Sequence, residues 1–199
     1  MIVLARQPYR EHALLLSGLS PDYGRLDLTA NGALRLSEKK FPAADLFREL
    51  EVEFDDSGSS DLHTARRLEL ATSFDAVAET PRHFQFAGRI GRFLLRNAAP
   101  NMPMPYTYDA LRSILVQLSI RGEVAGKWTL EQCAVVLKTT YLYENGLLPD
   151  AASAEQNDFL ENLVAAGVEN TCLPEVPAEY WKSLNNWLNS LLEFHGLPR

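Results

Sequence analysis

The sequence predicts an α+β protein: an N-terminal five-stranded OB-type β-barrel followed by a C-terminal α-helical bundle. Two observations predict it. Up to about residue 80 the apolar residues come in short runs of period two separated by turn residues, and after Pro81 they recur at helical spacing. The first half also holds five such runs within about 75 residues, the density of a small curled barrel. A fragment of a β-sandwich is the alternative that the same runs allow.

Strands are expected at roughly 2–8, 13–19, 24–31, 47–55 and 62–72. The charged turn Tyr9-Arg10-Glu11-His12 joins the first two, and the third follows the Ser20-Pro21-Asp22-Tyr23-Gly24 loop and stops at Gly32. The fourth gives the cleanest pattern. Leu50, Val52 and Phe54 alternate with Glu49, Glu51, Glu53 and Asp55, which puts one face inward and an acidic face in water. Asp56-Ser57-Gly58-Ser59-Ser60-Asp61 then reads as a hairpin loop.

Helices are expected at about 82–98, 107–121, 130–145, 154–167 and 178–195, with Pro100-Asn-Met-Pro-Met-Pro105 breaking the chain between the first two. Thr129 suits the N-cap of the third, and Asn145-Gly146 suits its end. The last helix follows Pro177 and stops at Gly196. Tyr180, Trp181, Leu184, Trp187, Leu188, Leu191 and Leu192 lie on one side of it, so it needs a partner surface. The expected division is an OB-fold domain over 1–78 and a helical domain over 79–199.

Composition narrows the function. With 46% hydrophobic residues, the chain can fill a packed core. A net charge of −7 argues against a surface that attracts phosphate everywhere, because nonspecific nucleic-acid affinity comes from Lys and Arg displacing condensed cations. Any DNA contact must be a local patch. Cys133 and Cys172 make neither a disulfide framework nor a paired-cysteine zinc signature, which suits a reducing cytoplasm. No apolar run reaches the ~18–20 residues that cross a bilayer. The opening residues lack the order of a signal peptide, so a cytoplasmic protein with no membrane partner is expected.

The cations are concentrated. From Thr80 to Tyr108 there is no acidic residue, while Arg82, Arg89, Arg92 and Arg96 are present. Arg89, Arg92 and Arg96 stand at helical spacing on one stripe, with Phe86, Ile90, Phe93 and Leu94 marking the buried side. Guanidinium forks suit phosphate oxygens. The same arginines could instead pair with the acidic barrel strand. A second basic group, Arg35, Lys39 and Lys40, follows Gly32 where barrel loops border a ligand groove. Tyr9, Tyr23 and Phe41 are the aromatics expected to be exposed, for packing or for base stacking.

Nothing in the sequence assembles a catalytic set. His12, His63, His83 and His195 are scattered, and there is no His-Glu-x-x-His pair, glycine-rich phosphate loop or Gly-x-Ser-x-Gly turn. Asp55, Asp56 and Asp61 read as hairpin acids, and Cys133 as a buried inert thiol. No enzyme activity, cofactor or metal is expected.

Tyr9-Arg10-Glu11, Gly24-Arg25, Ala30-Asn31-Gly32-Ala33 with Arg35, the helix closing on Asn145-Gly146-Leu147-Leu148-Pro149, and the terminal helix from Pro177 to Gly196 occur in an order that resembles the RecO family of recombination mediators. The resemblance implies an N-terminal OB-fold and a helical bundle, in some members with a four-cysteine zinc module. It implies binding of single- and double-stranded DNA, strand annealing, and recombinase loading on strands covered by single-strand-binding protein, often with RecR. Two departures stand out: the cysteine pairs are missing, so no zinc is expected, and Asn31 and Asp27 stand where the family favours positive charge. The expected DNA-binding residues are Arg10, Arg25, Arg35, Lys39 and Lys40 on the barrel and Arg89, Arg92 and Arg96 on the first helix. The alternative is a protein-interaction adaptor of the same architecture, without useful DNA affinity, that engages an acidic tail such as that of single-strand-binding protein through the Arg89 stripe.

Overall fold

A computed structural model describes residues 1–34, 41–56, 58, 60–122, 127–150 and 153–197. They fall into two compact units, Met1–Pro103 and Met104–Arg199. In the first, strands β1 (Ile2–Tyr9), β2 (Ala13–Ser20), β3 (Gly24–Asn31), β4 (Arg48–Asp55) and β5 (Leu62–Ser73) close a barrel in the order β1-β2-β3-β5-β4. All neighbours are antiparallel except β3 and β5, which run parallel from Asp27↔Leu62 to Thr29↔Thr64. A short 3-10 turn at Asp75–Glu79, which the sequence pattern did not announce, leads into helix α1 (Pro81–Asn97).

Alternation fills the barrel. Leu14, Leu16, Leu26, Leu28, Leu50, Ala65 and Leu68 point inward with Val3. The opening Ile2-Val3-Leu4 run breaks the alternation because β1 is covered on both faces there. Leu4 lies under α1, where a Cβ on Gly91 would sit 3.5 Å from the Leu4 Cβ. Phe41, expected at the surface, is instead 6% exposed and part of the barrel core. An aromatic in a segment that returns the chain to the sheet gains more from burial than from solvent.

α1 closes one end of the barrel. Phe84 meets Phe47 edge-on just before β4, Arg25 at the start of β3 reaches the last turn of α1, and the chain after α1 bridges Gly24 and Arg25 at Pro100. Only glycine fits at position 24: its φ is +61°, and a Cβ would lie 2.3 Å from the Met102 carbonyl oxygen.

The second unit holds α2 (Pro105–Ser119), α3 (Leu130–Glu144), α4 (Ala154–Glu169) and α5 (Ala178–Phe194). Thr129 caps α3 as expected. Its hydroxyl accepts from the Gln132 N–H, and the Gln132 side chain accepts from the Thr129 N–H, a reciprocal capping box. α4 crosses α2 and α3 closely enough that a Cβ on Gly167 would stand 2.7 Å from Val136 Cγ1. A polar clasp holds α5 on α3: the Lys138 ammonium donates to the Asn185 and Asn189 side chains at 2.6 Å each, and Asn185 donates to Glu131. Trp181, Leu188 and Leu192 form the buried side of α5, whereas Tyr180 and Trp187 are exposed. The apolar residues of the last helix thus divide between a buried face and an open one.

Candidate nucleic-acid interface

The first unit contains 13 Lys and Arg against 14 Asp and Glu, so nearly all of the net charge of −7 lies in the second unit. Within the first unit the question is which cations are free to meet a phosphate chain. The strand arginines are not. Arg6 pairs with Asp45 at 3.0 Å, Arg25 with Asp27 at 2.9 Å and Arg48 with Asp75 at 2.8 Å. On β5, Arg66 pairs with Asp55, and Arg67 bridges Glu53 and Glu69. The hydrogen bonds from Arg48 hold the Asp75 carboxyl below its ordinary range and push the guanidinium up.

These β5 arginines answer the acidic face of β4. Glu53 stands directly opposite Arg67 in the ladder, and cross-strand pairs of opposite charge stabilise a sheet. Glu53 and Asp55 of β4 are therefore occupied by arginines of the neighbouring strand.

α1 presents the contrast. Phe86, Ala87, Ile90, Gly91, Phe93 and Leu94 are buried, and Arg82, Arg89, Arg92 and Arg96 are exposed along one edge of the helix. Among the described residues, Arg82, Arg89 and Arg92 have no carboxylate within salt-bridge distance. The Arg89 guanidinium lies 5.7 Å from the Phe86 ring centroid, which orients it without neutralising it. Arg82 belongs with this set: it stands seven residues before Arg89, the same two-turn step that separates Arg89 from Arg96, and the acid-free window includes it.

In the first unit Arg10 is a further exposed cation with no carboxylate within salt-bridge distance among the described residues. It projects from the β1–β2 turn at φ +54°, 5.1 Å from the Tyr9 ring centroid. The His12 carbonyl in the same turn accepts from the Gly32 and Leu34 N–H groups, so the chain leaving β3 runs beside Arg10. Arg35, Lys39 and Lys40 lie outside the described residues. Arg10 and Leu34 mark one end of β3, and Arg25 and α1 mark the other. Seven residue steps of ~3.3 Å put about 23 Å between them.

Arg25 is tied into the fold on both sides. Its Nε and Nη2 share the Asp27 carboxylate, and Nη1 donates to the Leu95 carbonyl oxygen at 3.1 Å, in the last turn of α1 where cations are favoured.

A pocket of about 390 Å³ opens between Tyr23, Phe54, His63 and Asn101, with Glu53, Asp56 and Arg66 at its edge. Tyr23 packs edge-on to Phe54 at 5.3 Å, and the Phe54 and His63 centroids are 4.9 Å apart. Tyr23 was anticipated as an exposed aromatic, but Phe54 and His63 were not, because they come together only through the β4–β5 pairing. The carboxylates at the rim make this pocket a poor seat for phosphate. Among the described residues no three or more His, Cys, Asp or Glu side chains are grouped to hold a metal, and no helix is long and apolar enough to cross a membrane.

Comparison with known proteins bears on the same unit. Residues 1–74 match the family model for the recombination protein O N-terminal region. A curated relative, the DNA repair protein RecO of Alteromonas mediterranea, is 28% identical over 151 residues, which is 76% of this chain. That match spans 60% of the relative's own length. The N-terminal unit is thus similar to the recombination protein O N-terminal region, and the motif order in the sequence and the helices that follow the five-strand barrel agree with that similarity.

Proposed function

We propose that this protein is a DNA-binding recombination mediator without chemistry of its own. It holds the sugar–phosphate backbone of single strands, and of duplexes more weakly, on Arg82, Arg89, Arg92 and Arg96 of α1 and on the Arg10 turn, to which Arg35, Lys39 and Lys40 add. One observation carries the reading. Each arginine on a barrel strand is paired with a carboxylate, while Arg82, Arg89 and Arg92 are exposed and have no such partner among the described residues. A pairing-free guanidinium row has charge to give to phosphate, and a paired one must first break its bridge.

Neutralised strands approach each other more easily, so annealing follows from the same contacts, and recombinase loading would follow from holding a strand while another protein leaves it. The ~23 Å between the two cationic ends of β3 corresponds to about seven nucleotides at ~3.4 Å each, within the ~4–16 that single OB folds cover.

The test is the salt dependence of single-strand binding. Each phosphate contact on a single strand adds about 0.7 to the log–log slope, so Arg89→Gln with Arg92→Gln lowers the slope by about 1.4. Arg66→Gln with Arg67→Gln, on the paired β5 face, leaves it unchanged. Equal losses in both double variants would overturn the assignment. Negligible DNA affinity at moderate salt, with an acidic peptide still bound through α1, would establish the adaptor instead.

A further inference from the structure

The second unit carries a feature that DNA binding does not use. Between α4 and α5 a groove of about 410 Å³ is walled by Phe159 and Leu160 of α4 and Tyr180, Leu184 and Trp187 of α5, with Asp150 at its edge. Phe159 packs edge-on against Tyr180 at 5.4 Å, which fixes the shape of the wall. Tyr180 and Trp187 are nevertheless 45% and 38% exposed. Large aromatics in a rigid open groove are the residues that most often dominate binding at protein interfaces.

Charge identifies the occupant. From Thr139 to Trp187, the stretch that contains every residue of the groove wall, the chain carries eight carboxylates against the single cation Lys182, so this segment alone matches the entire net charge of the protein. The N-termini of α4 and α5 contribute only about half a positive charge each, and Glu155 and Glu179 in their first turns already offset them. An acidic peptide would be repelled from this surface. A segment with apolar residues at helical spacing and flanking lysines or arginines matches both the groove and its field.

We propose that the α4–α5 groove is a docking surface for a basic amphipathic segment of a partner protein. The anchors are apolar side chains seated against Phe159, Leu184 and Trp187, and the flanking cations lie over the carboxylate-rich surroundings.

The test uses the full chain and three labelled peptides of about 15 residues, long enough for four helical turns. One has leucines on one face and lysines elsewhere, one has glutamates in place of the lysines, and one shuffles the lysine peptide so that no apolar face forms. Fluorescence anisotropy should show the amphipathic lysine peptide bound, with both others weaker by about tenfold or more. Trp187→Ala and, separately, Tyr180→Ala should each weaken it by about tenfold, with the circular dichroism and single-strand DNA affinity of each variant unchanged. Equal binding of the shuffled peptide would overturn the proposal, as would tighter binding of the glutamate peptide or indifference to both aromatic substitutions. So would sedimentation as a dimer that Trp187→Ala dissociates, because a second copy would then cover the groove.

Discussion

Replacing Arg25 by glutamine separates two roles that the sequence alone cannot distinguish, contact with DNA and support of the barrel end. In the folded protein the guanidinium joins Asp27 to the Leu95 carbonyl, and the Arg25 N–H donates to the Ala99 carbonyl at 3.2 Å. Glutamine removes a charged hydrogen bond at the end of α1, worth about 1.5–3 kcal/mol when well buried. It also removes a favourable cation near the helix C-terminus, worth about 0.3–1 kcal/mol. The Arg25 side chain is 39% exposed, which cuts both. Against that, Asp27 is only 16% exposed and its Oδ1 is buried without a hydrogen-bond partner, so losing the arginine strands a carboxylate. The balance is about 2 kcal/mol of destabilisation. In a unit of this size each kcal/mol lowers Tm by roughly 4–8 °C. Urea and thermal unfolding should therefore show a clear loss, and Arg25→Gln with Asp27→Asn should recover about half of it as the stranded charge disappears. The salt slope of single-strand binding should stay within about 0.3 of wild type, less than half of one phosphate contact. Unchanged stability combined with a slope lowered by about 0.7 would refute this reasoning and make Arg25 a DNA ligand.

Gly167→Ala should cost about 1–3 kcal/mol in urea unfolding, because the new methyl group would stand 2.7 Å from Val136 and 3.3 Å from Ala110 and Thr140 at the crossing of α4 with α2 and α3. Native protein treated with a thiol reagent should modify Cys172 rapidly and Cys133 only after denaturation, since Cys172 is exposed whereas burial pushes the Cys133 thiol up to about 12. The Asp75 carboxyl is held below its unfolded value by Arg48, so its contribution is complete above the unfolded carboxylate range and disappears as pH falls through the folded value. Asp75 is 55% exposed, which limits that contribution to about 1 kcal/mol or less. Asp75→Asn should accordingly lose less stability than wild type between about pH 6 and pH 3, read as urea midpoints.

Most of the fold was legible because its signals are local. Period-two runs ended by Gly24 or Gly32, a proline at the first position of α1 and a Thr129 cap fix where elements begin and end, and the observed boundaries lie within a few residues of those expected. What was not legible depends on partners distant in sequence. The burial of Phe41 and the meeting of Phe54 with His63 follow from barrel closure. The width of the apolar sector on α5 held a clue: its seven residues make one broad side, and packing buried only the edge that holds Trp181, Leu188 and Leu192. The pairing of Arg25 was readable in principle, because residues two apart on a strand share a face and Asp27 stands two places on. The same rule identifies Arg67 with Glu69. For the candidate site, the acid-free window found the α1 row, but which barrel arginines are occupied needed the register of β4 against β5.

That register reconciles a net charge of −7 with the phosphate-binding role proposed above. Total charge describes long-range approach, and at physiological salt fields fade over about 8 Å, so contact depends on the charges within one or two side chains of the ligand. The first unit is nearly neutral overall and is sorted: Asp55 and Glu53 of β4 are matched by Arg66 and Arg67, Asp27 and Asp75 by Arg25 and Arg48, and α1 contains no acid at all. Had β5 carried neutral residues at 66 and 67, Glu53 and Asp55 would have stood as unanswered negative charge on the same unit, opposing any polyanion. The arginines that never touch DNA in this scheme are what make the α1 row usable. Arg66→Gln with Arg67→Gln should consequently weaken single-strand binding modestly at low salt and leave the slope intact, whereas loss of Arg89 and Arg92 changes the slope itself.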